Sequence, residues 1–238
     1  MNTLTNKVAL ITGGNRGIGL ALARLLAQEG CELILTGRDR RQLDEAAGSL
    51  QKSASRVLAF PCDITDAAQI GQLFQAVQER HSSLHILINN AGTAHALAPV
   101  DQLPVNVWNQ AIAVNLTGMF LVTRAALPLM PAGSTIVNNL SVAATQSFPG
   151  MAAYNASKAG ALGFTNVLRE EVRKRGIRVL ALMAGATDTG IWDQFWADAP
   201  RHKMVSPETV ARAVLHALTL PPEAAIEQIN LGPSAGVL

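Results

Sequence analysis

Residues 8–19 read Val8-Ala9-Leu10-Ile11-Thr12-Gly13-Gly14-Asn15-Arg16-Gly17-Ile18-Gly19. The apolar residues at its start predict a buried strand, and the pattern after Gly17 predicts a helix. Glycines let a backbone turn tightly and approach a pyrophosphate, whose charge is favoured at a helix N-terminus. This setting favours a nucleotide-binding loop over a plain structural turn.

The spacing of the glycines differs from the commonest dinucleotide-binding pattern, G-x-G-x-x-G. Gly17 and Gly19 would need a small residue at position 22, where Leu22 stands. The glycines follow instead as Gly13-x-x-x-Gly17-x-Gly19.

Short apolar runs alternate with longer segments of helical period along the whole chain. The predicted strands are Val8–Thr12, Glu32–Thr36, Arg56–Pro61, His85–Asn89, Ser134–Asn138, Ile177–Met183 and Ile226–Leu231. The predicted helices lie at about 17–29, 40–51, 66–80, 107–130, 152–175 and 207–219. Strands that are apolar on both faces and alternate with helices predict an α/β fold with a parallel sheet and right-handed crossovers.

The chain shows no linker, charge block or repeat that would divide it, so we expect a single domain over residues 1–238. Three irregular stretches, 92–106, 141–151 and 184–206, follow the ends of predicted strands. Open α/β sheets bind ligands at the carboxyl ends of their strands. These stretches are therefore where we expect the ligand site.

Composition excludes several classes of protein. Apolar residues make up 49% of the chain and charged residues 15%, with a net charge of +2, which argues against disorder and against a nucleic-acid-binding surface. Cys31 and Cys62 are the two cysteines, so a disulfide framework is absent, as in proteins of a reducing compartment. With no apolar run of about 20 residues, we expect a cytoplasmic protein without a membrane partner and without a metal ion.

Tyr154 and Lys158 stand four residues apart, with Ser141 upstream of them. Residues at this spacing lie on one face of a helix, where an ammonium favours the phenolate form of a tyrosine. Tyrosine otherwise titrates near ~10, too high for proton exchange at neutral pH. The alternative is a chance pair on a solvated helix face, although Tyr154 is the only tyrosine in the chain.

These motifs, taken in order, resemble the short-chain dehydrogenase/reductase family over the entire chain. They are the loop Thr12–Gly19, Asn89-Asn90-Ala91-Gly92, Asn115, Ser141 and Tyr154-x-x-x-Lys158. The resemblance implies a Rossmann-type doubly wound sheet of about seven parallel strands with helices on both faces. It also implies an NAD(H) or NADP(H) cofactor and hydride transfer to or from a carbonyl or alcohol carbon.

The resemblance also implies which residues bind the cofactor. They are Gly13, Asn15, Arg16, Gly17, Ile18, Gly19, Arg38, Asp63, Ile64, Asn90, Ala91, Gly92, Tyr154, Lys158, Gly185, Thr187 and Thr189. Asp63 has an alternative role as the cap of the helix that starts near residue 66. The asparagines have an alternative role in binding backbone groups of the sheet.

NADP(H) is favoured over NAD(H) by the residues after the second strand. In the family, the carboxylate that selects NAD stands at the position that corresponds to residue 37, which here is Gly37. Arg38 and Arg16 could pair with a 2′-phosphate. The competing residue is Asp39, which could reach the ribose.

By matching motif positions, Tyr154 is the general acid in reduction and the base in oxidation. Lys158 would lower the pKa of Tyr154 and bind the nicotinamide ribose, and Ser141 would hold the substrate oxygen. Asn115 would support a water that relays protons to the lysine. Each has a structural alternative: Ser141 a turn cap, Asn115 a partner for a buried carbonyl, and Lys158 a solvated side chain.

Where the family usually has Pro-Gly after the sixth strand, this chain has Ala184-Gly185. The loss of proline leaves the turn less restricted. Gly185 and Thr189 keep their places, so the contacts of Thr187 and Thr189 with the cofactor remain an expectation.

The substrate pocket is expected in 93–97, 142–151 and a lid at about 184–206. Its predicted residues are Ser141, Val142, Ala143, Tyr154, Trp192, Phe195 and Trp196. The three aromatics form a helical stripe, which covers either an apolar substrate or simply the body of the protein. His95 could touch the substrate, but we expect it to face water.

We expect a small or medium apolar carbonyl or alcohol compound as substrate. Family members pair the helices 107–130 and 152–175 between subunits, which implies a homodimer or homotetramer. Two other functions remain open: a non-catalytic NADP(H)-binding sensor, and an isomerase or dehydratase that uses the same cofactor.

Overall fold

The computed structural model describes residues 4–51, 53–54 and 56–236, so the ends of the predicted domain at 1–3 and 237–238 lie outside the described residues. The strands are β1 Val8–Thr12, β2 Glu32–Gly37, β3 Val57–Pro61, β4 Ile86–Asn89, β5 Thr135–Asn139, β6 Arg178–Ala184 and β7 Gln228–Leu231. The α-helices are α1 Gly17–Gln28, α2 Arg40–Leu50, α3 Ala67–Gln78, α4 Val105–Ile112, α5 Met119–Ala126, α6 Ala152–Arg173 and α7 Pro207–Leu218. Every predicted strand and helix is present.

The strands form one sheet in the order β3-β2-β1-β4-β5-β6-β7, and all neighbours pair in parallel. The chain order reverses between β1 and β4, where Leu10 is in register with Leu87. The doubly wound Rossmann-type fold predicted from the sequence is confirmed. Its ligand-binding crevice is expected at the carboxyl ends of β1 and β4.

Neighbouring residues of β1 point to opposite faces of the sheet and so join different cores. Ile11 packs into the core beneath α1, α2 and α7, which includes Leu22 and Val214. Leu10 packs into the core beneath α3, α5 and α6, which includes Leu73. Burial on both sides explains why the strands read as continuous apolar runs.

The predicted helix 107–130 is interrupted in the structure. A π-helical turn, Ala113–Gly118, separates α4 from α5, and a 3-10 turn, Leu127–Leu129, ends the stretch. By length and composition alone, Val105–Leu129 could cross a membrane, with a mean hydropathy of 1.5, although polar residues interrupt it. Because Val122 and Ala126 lie in the core beneath the sheet, the stretch also fits a core helix, which passes the same test.

Candidate active site

A cavity of about 630 Å³ lies at the carboxyl ends of the strands. Its volume is within the range of small-molecule and cofactor sites. The predicted site residues that line it are Gly13, Asn15, Arg16, Gly17, Ile18, Arg38, Asp63, Ile64, Asn90, Ala91, Gly92, Ser141, Val142, Ala143, Tyr154, Lys158, Gly185, Thr187, Thr189, Trp192, Phe195 and Trp196. The two that do not line it are Gly19 and Asn115.

The glycine loop forms a cradle between β1 and α1. Gly13 and Gly17 have φ angles of 63° and 54°, a left-handed conformation that favours glycine. A β-carbon on Gly13 would lie 3.1 Å from the α-carbon of Ala91, so the loop also depends on a close approach to the chain after β4. Arg16, the N-cap residue of α1, makes no side-chain cap, which leaves the first amides of the helix for an anion. This cradle fits a dinucleotide pyrophosphate.

Asn90 fixes the cradle to the neighbouring strands. Its Nδ2 donates to the carbonyl oxygens of Thr12 and Gly13, each at 3.0 Å. Its Oδ1 accepts from Asn139 Nδ2 at 2.9 Å. Asn90 therefore lines the cavity and also binds backbone groups, as the alternative interpretation proposed.

At the β2 end of the cavity, Arg38 lines the wall together with Gly37 and Asn15. Arg16 also lines the cavity, but its Nη1 lies 3.8 Å from the position of a β-carbon on Gly190, in the 184–206 segment. A β-carbon on Gly37 would lie 2.9 Å from Asn15 Oδ1, so a side chain at position 37 would have to displace Asn15. The Asn15 amide is held by Gln42, whose Oε1 accepts from Nδ2 at 2.8 Å.

Two carboxylates near this end act as helix caps. Asp39, the residue that competed for the ribose, lines the cavity and also accepts a hydrogen bond from Gln42 N at 3.0 Å at the start of α2. Asp66 caps α3 by accepting from Ala68 N and Gln69 N. The alternative that Asp63 caps this helix was therefore wrong: its carboxylate accepts from Thr65 and remains at the cavity wall.

Tyr154 and Lys158 face each other in a water-excluding environment. Their relative exposures are 9% and 4%, and the Lys158 ammonium lies 5.6 Å from the centre of the tyrosine ring. Lys158 Nζ donates to the carbonyl oxygen of Asn139 at 3.0 Å. The alternative that Lys158 is solvated was wrong, because the start of α6 packs against the end of β5.

Burial penalises the charged form of both groups. It raises the pKa of Tyr154, and a hydrogen bond with the Ser141 side chain lowers that pKa in part. Burial lowers the pKa of Lys158 to about 8. The net shift of the Tyr154 pKa is upward, opposite to the expected effect of the lysine, because desolvation is the larger cause.

Ser141 combines a structural and a site contact. Its hydroxyl accepts from Ala143 N at 3.1 Å and so caps the short turn after β5, as the alternative proposed. The same side chain is hydrogen-bonded to Tyr154. The turn thus presents the serine hydroxyl beside the phenol.

Asn115 is fully buried behind the cavity wall. Its Oδ1 accepts from Thr93 N, and its Nδ2 donates to Thr93 O and to Ser157 Oγ, each at 2.9 Å. The side chain therefore holds the segment after β4, in line with the structural alternative. A β-carbon on Gly92 would lie 3.4 Å from Asn115 Oδ1 and 3.7 Å from Lys158 Nζ, which places this segment between the two residues.

The other end of the cavity is apolar. Trp192 packs on Phe195 and Trp196 with ring centroids 4.6 Å and 6.2 Å apart, although the segment forms a 3-10 turn rather than the expected helix. The indole of Trp192 donates to Thr187 O at 2.9 Å. Other apolar residues also line the cavity wall: Leu97, Phe148, Pro149, Met151 and Ile191. They lie within the segments predicted to form the substrate pocket, although the prediction did not name them individually.

The absent proline at position 184 does not loosen the end of β6. Ala184 pairs with Leu231 of β7, and the Gly185 amide donates to Leu231 O at 2.8 Å. The sheet therefore holds the turn that leads to Thr187 and Thr189.

Two residues near Tyr154 were missed or misjudged from the sequence. His95 was expected to face water, but it is 7% exposed and its Nε2 accepts from Tyr154 N at 3.3 Å. Gln194 of the 184–206 segment was not singled out, but its Oε1 accepts from Ala94 N at 2.9 Å and from Thr93 Oγ1 at 3.1 Å. No local signal identifies either contact.

Comparison with known proteins places this geometry among oxidoreductases. The family model described as short chain dehydrogenase matches residues 7–200. An uncharacterized oxidoreductase of Staphylococcus aureus (strain USA300) is 32% identical over 235 residues, which cover 98% of this chain and 100% of that protein.

Two solved structures are similar over nearly the whole chain. Serine dehydrogenase in a closed form with NADP+ is 27% identical, with a TM-score of 0.90 and coverage of 97% of this chain and 96% of that one. The 3-ketoacyl-(acyl-carrier-protein) reductase of Brucella melitensis with NADH is 26% identical, with a TM-score of 0.88 and coverage of 98% and 99%. The two carry different nicotinamide cofactors.

Proposed function

The chain belongs to the short-chain dehydrogenase family of NAD(P)-dependent oxidoreductases, and within it we propose a single-domain NADP(H)-dependent enzyme that interconverts a carbonyl and an alcohol. Ser141, Tyr154 and Lys158 would carry the proton transfer. The observation that carries the proposal is their convergence on one cavity that the glycine cradle also lines.

The cradle and the loops after β3, β4 and β6 would hold the cofactor. A bound nicotinamide cofactor supplies or accepts the hydride at the substrate carbon. The amides of the glycine loop would bind the pyrophosphate, and Asp63 and Ile64 would meet the adenine end. Asn90, Thr187 and Thr189 would contact the remaining parts of the cofactor.

The preference for NADP(H) rests on charge and space at the β2 end. Arg38 lines this end of the cavity and Arg16 lines the same cavity, and both side chains could pair with a 2′-phosphate. Gly37 offers no carboxylate to the ribose, and Asp39 is engaged at the start of α2. Both features disfavour recognition of an unmodified ribose.

The buried tyrosine is suited to donate a proton during reduction. Because burial raises the pKa of Tyr154, the phenol stays protonated near neutral pH until charge develops on the substrate oxygen. The Ser141 hydroxyl would orient that oxygen, and the Lys158 ammonium would stabilise the phenolate left behind. Asn115 would support the relay that returns a proton through the lysine.

The substrate is proposed to be a small or medium apolar carbonyl or alcohol compound. Tyr154 packs in one apolar cluster with Ala143 and Met151, and Phe148, Ile191 and Phe195 pack against it; all of these residues line the cavity. Trp192, Phe195 and Trp196 would form part of a lid over 184–206 that excludes water.

We propose that the enzyme is a homodimer or homotetramer located in the cytoplasm, with no nucleic-acid or membrane partner. Phe120 on α5 is 42% exposed, and Val167 on α6 is 59% exposed. A second copy of the chain could cover these apolar side chains. The two described cysteines are free, which fits a reducing compartment. A monomeric mass at micromolar concentration would contradict the oligomer.

NADPH oxidation with a panel of apolar aldehydes and ketones tests the proposed activity. A sensor would bind NADPH without consuming it, and an isomerase or dehydratase would convert substrate without net NADPH loss. Substrate-dependent loss of NADPH absorbance that disappears in Tyr154→Phe is expected. If the panel gives no turnover while NADPH binds, the sensor replaces the enzyme as the conclusion.

A further inference from the structure

The helix that carries Tyr154 begins without a cap of its own. Met151, the N-cap residue of α6, makes no side-chain hydrogen bond to the helix. Tyr154 is the third residue of α6, so its amide belongs to the first turn, whose N–H groups have no acceptor within the helix. A buried amide in this position needs a partner from elsewhere in the fold.

His95 supplies that partner from the segment after β4. Its Nε2 accepts from Tyr154 N at 3.3 Å, and its side chain is buried. Because Nε2 accepts, a neutral imidazole carries its proton on Nδ1, which lies 2.8 Å from Ala96 O and donates to it. Both ring nitrogens are thus used, and the second bond fixes the orientation of the first.

The segment that carries His95 is held from two sides. Asn115 binds both backbone polar groups of Thr93 at 2.9 Å. Gln194 accepts from Ala94 N at 2.9 Å. His95 is therefore presented to Tyr154 by a fixed loop, and one of its anchors belongs to the 184–206 segment.

The main chain of Tyr154 is also held at its carbonyl. Ser157 Oγ donates to Tyr154 O at 2.8 Å and accepts from Asn115 Nδ2 at 2.9 Å. His95 on the amide and Ser157 on the carbonyl therefore restrain the same residue from both sides. A displacement of about 1 Å at a reacting group is enough to lower a rate substantially.

We propose that His95 is a positioning residue of the reaction: it caps α6 at Tyr154 and so holds the phenol in reach of the substrate oxygen. This inference rests on the proposed role of Tyr154 as proton donor. Its consequence is that loss of the Nε2 acceptor lowers turnover and leaves cofactor binding intact, because the glycine cradle lies elsewhere in the cavity.

Two substitutions test the proposal. His95→Leu removes the acceptor, and His95→Gln can place an amide oxygen near the position of Nε2. His95→Leu is expected to lower kcat by about 3- to 10-fold, the value of one hydrogen bond, and to leave the Kd for NADPH within about twofold. His95→Gln should recover most of the loss. His216→Leu, an exposed histidine of α7, is the control for a general effect of losing a histidine.

A direct measurement covers the case in which His95→Leu fails to fold. Tyr154 is the only tyrosine, so ¹⁵N-tyrosine labelling gives one amide signal. In the wild-type protein, hydrogen exchange at this amide should be about 10-fold or more slower than at a first-turn amide without a hydrogen bond. In His95→Leu, the Tyr154 amide should exchange at the faster, unbonded rate.

The inference is overturned if the wild-type Tyr154 amide exchanges as an unbonded one, if His95→Leu keeps kcat within about twofold, or if His95→Gln loses as much as His95→Leu. If instead Tyr154→Phe retains wild-type turnover, the proposed function of Tyr154 fails. The exchange measurement still decides whether His95 binds its amide, so the two failures are distinguishable.

Discussion

The ammonium of Lys158 lies 5.6 Å from the centre of the Tyr154 ring, and both side chains are buried. A cation at this distance from an aromatic face in a dry environment is attracted to the ring and would favour a negative charge on its oxygen. In the protein without bound cofactor or substrate, desolvation disfavours both the phenolate of Tyr154 and the ammonium of Lys158. The pair therefore holds a protonated phenol beside a cation that can stabilise its conjugate base.

Tyr154→Phe is expected to lower kcat by about 10²- to 10⁴-fold, the usual contribution of a positioned acid or base. The phenylalanine ring keeps the packing, so the Kd for NADPH should stay within about twofold of wild type. Steady-state turnover and fluorescence titration of NADPH measure the two quantities. A variant with wild-type kcat would remove Tyr154 from the mechanism.

Lys158→Met is expected to stabilise the protein while it abolishes turnover. Burial lowers the pKa of Lys158 from its ordinary 10.5 to about 8, so the folded protein holds this proton less tightly than the unfolded chain. The ammonium therefore destabilises the fold fully below pH 8, and this effect is lost as the pH rises to 10.5.

Urea unfolding at several pH values measures this effect. At pH 7 the free energy of unfolding of Lys158→Met should exceed that of wild type by about 1–3 kcal/mol, and the difference should shrink above pH 8. Lys174→Met, at the exposed end of α6, is the matched control and should show no such trend. A difference that grows between pH 8 and 10.5 would contradict the assignment.

Arg38→Ala is expected to raise the Kd for NADPH by about 10- to 100-fold, the value of a charge-assisted contact with a phosphate. The Kd for NADH should change little, because NADH lacks the 2′-phosphate. Titration of both cofactors measures the ratio. Arg41→Ala is the control, since that side chain is 87% exposed and pairs with Glu45. Equal weakening of both cofactors would refute the role of Arg38.

Phe195→Ala is expected to raise the KM of apolar substrates by about 3- to 10-fold. This corresponds to part of the free energy gained when an aromatic side chain is fully buried. The ring packs on Trp192 at the apolar end of the cavity, away from the cradle. A change in the Kd for NADPH instead of in the KM would move Phe195 to the cofactor end. Val100→Ala, at a position 78% exposed outside the cavity wall, is the control.

The parts of the site that sequence predicted well are those set by neighbouring residues. The glycine loop must turn after Thr12 whatever the rest of the chain does, because its glycines permit φ angles that other residues avoid. The i, i+4 spacing of Tyr154 and Lys158 places both on one helix face as soon as α6 forms.

Prediction failed where a polar side chain had a choice of partners. Asp63 and Asp66 are both plausible caps for α3, and only the observed helix start shows that Asp66 is the cap. His95 was expected to face water, but the loop that carries it contacts the start of α6. Local sequence does not report such a contact.

The sequence by itself determined the layer structure, the succession of strands and helices along the chain and, through the family resemblance, the kind of chemistry expected. Apolar strands, helical periods and glycine turns depend on residues close in the chain, so their pattern can be read without coordinates. The tertiary structure decided which buried polar atoms meet: His95 with Tyr154, Asn115 with Thr93, and Gln194 with Ala94. These partners lie 59, 22 and 100 residues apart. Each buried group needs a partner, and only the packing of distant loops determines which one it finds.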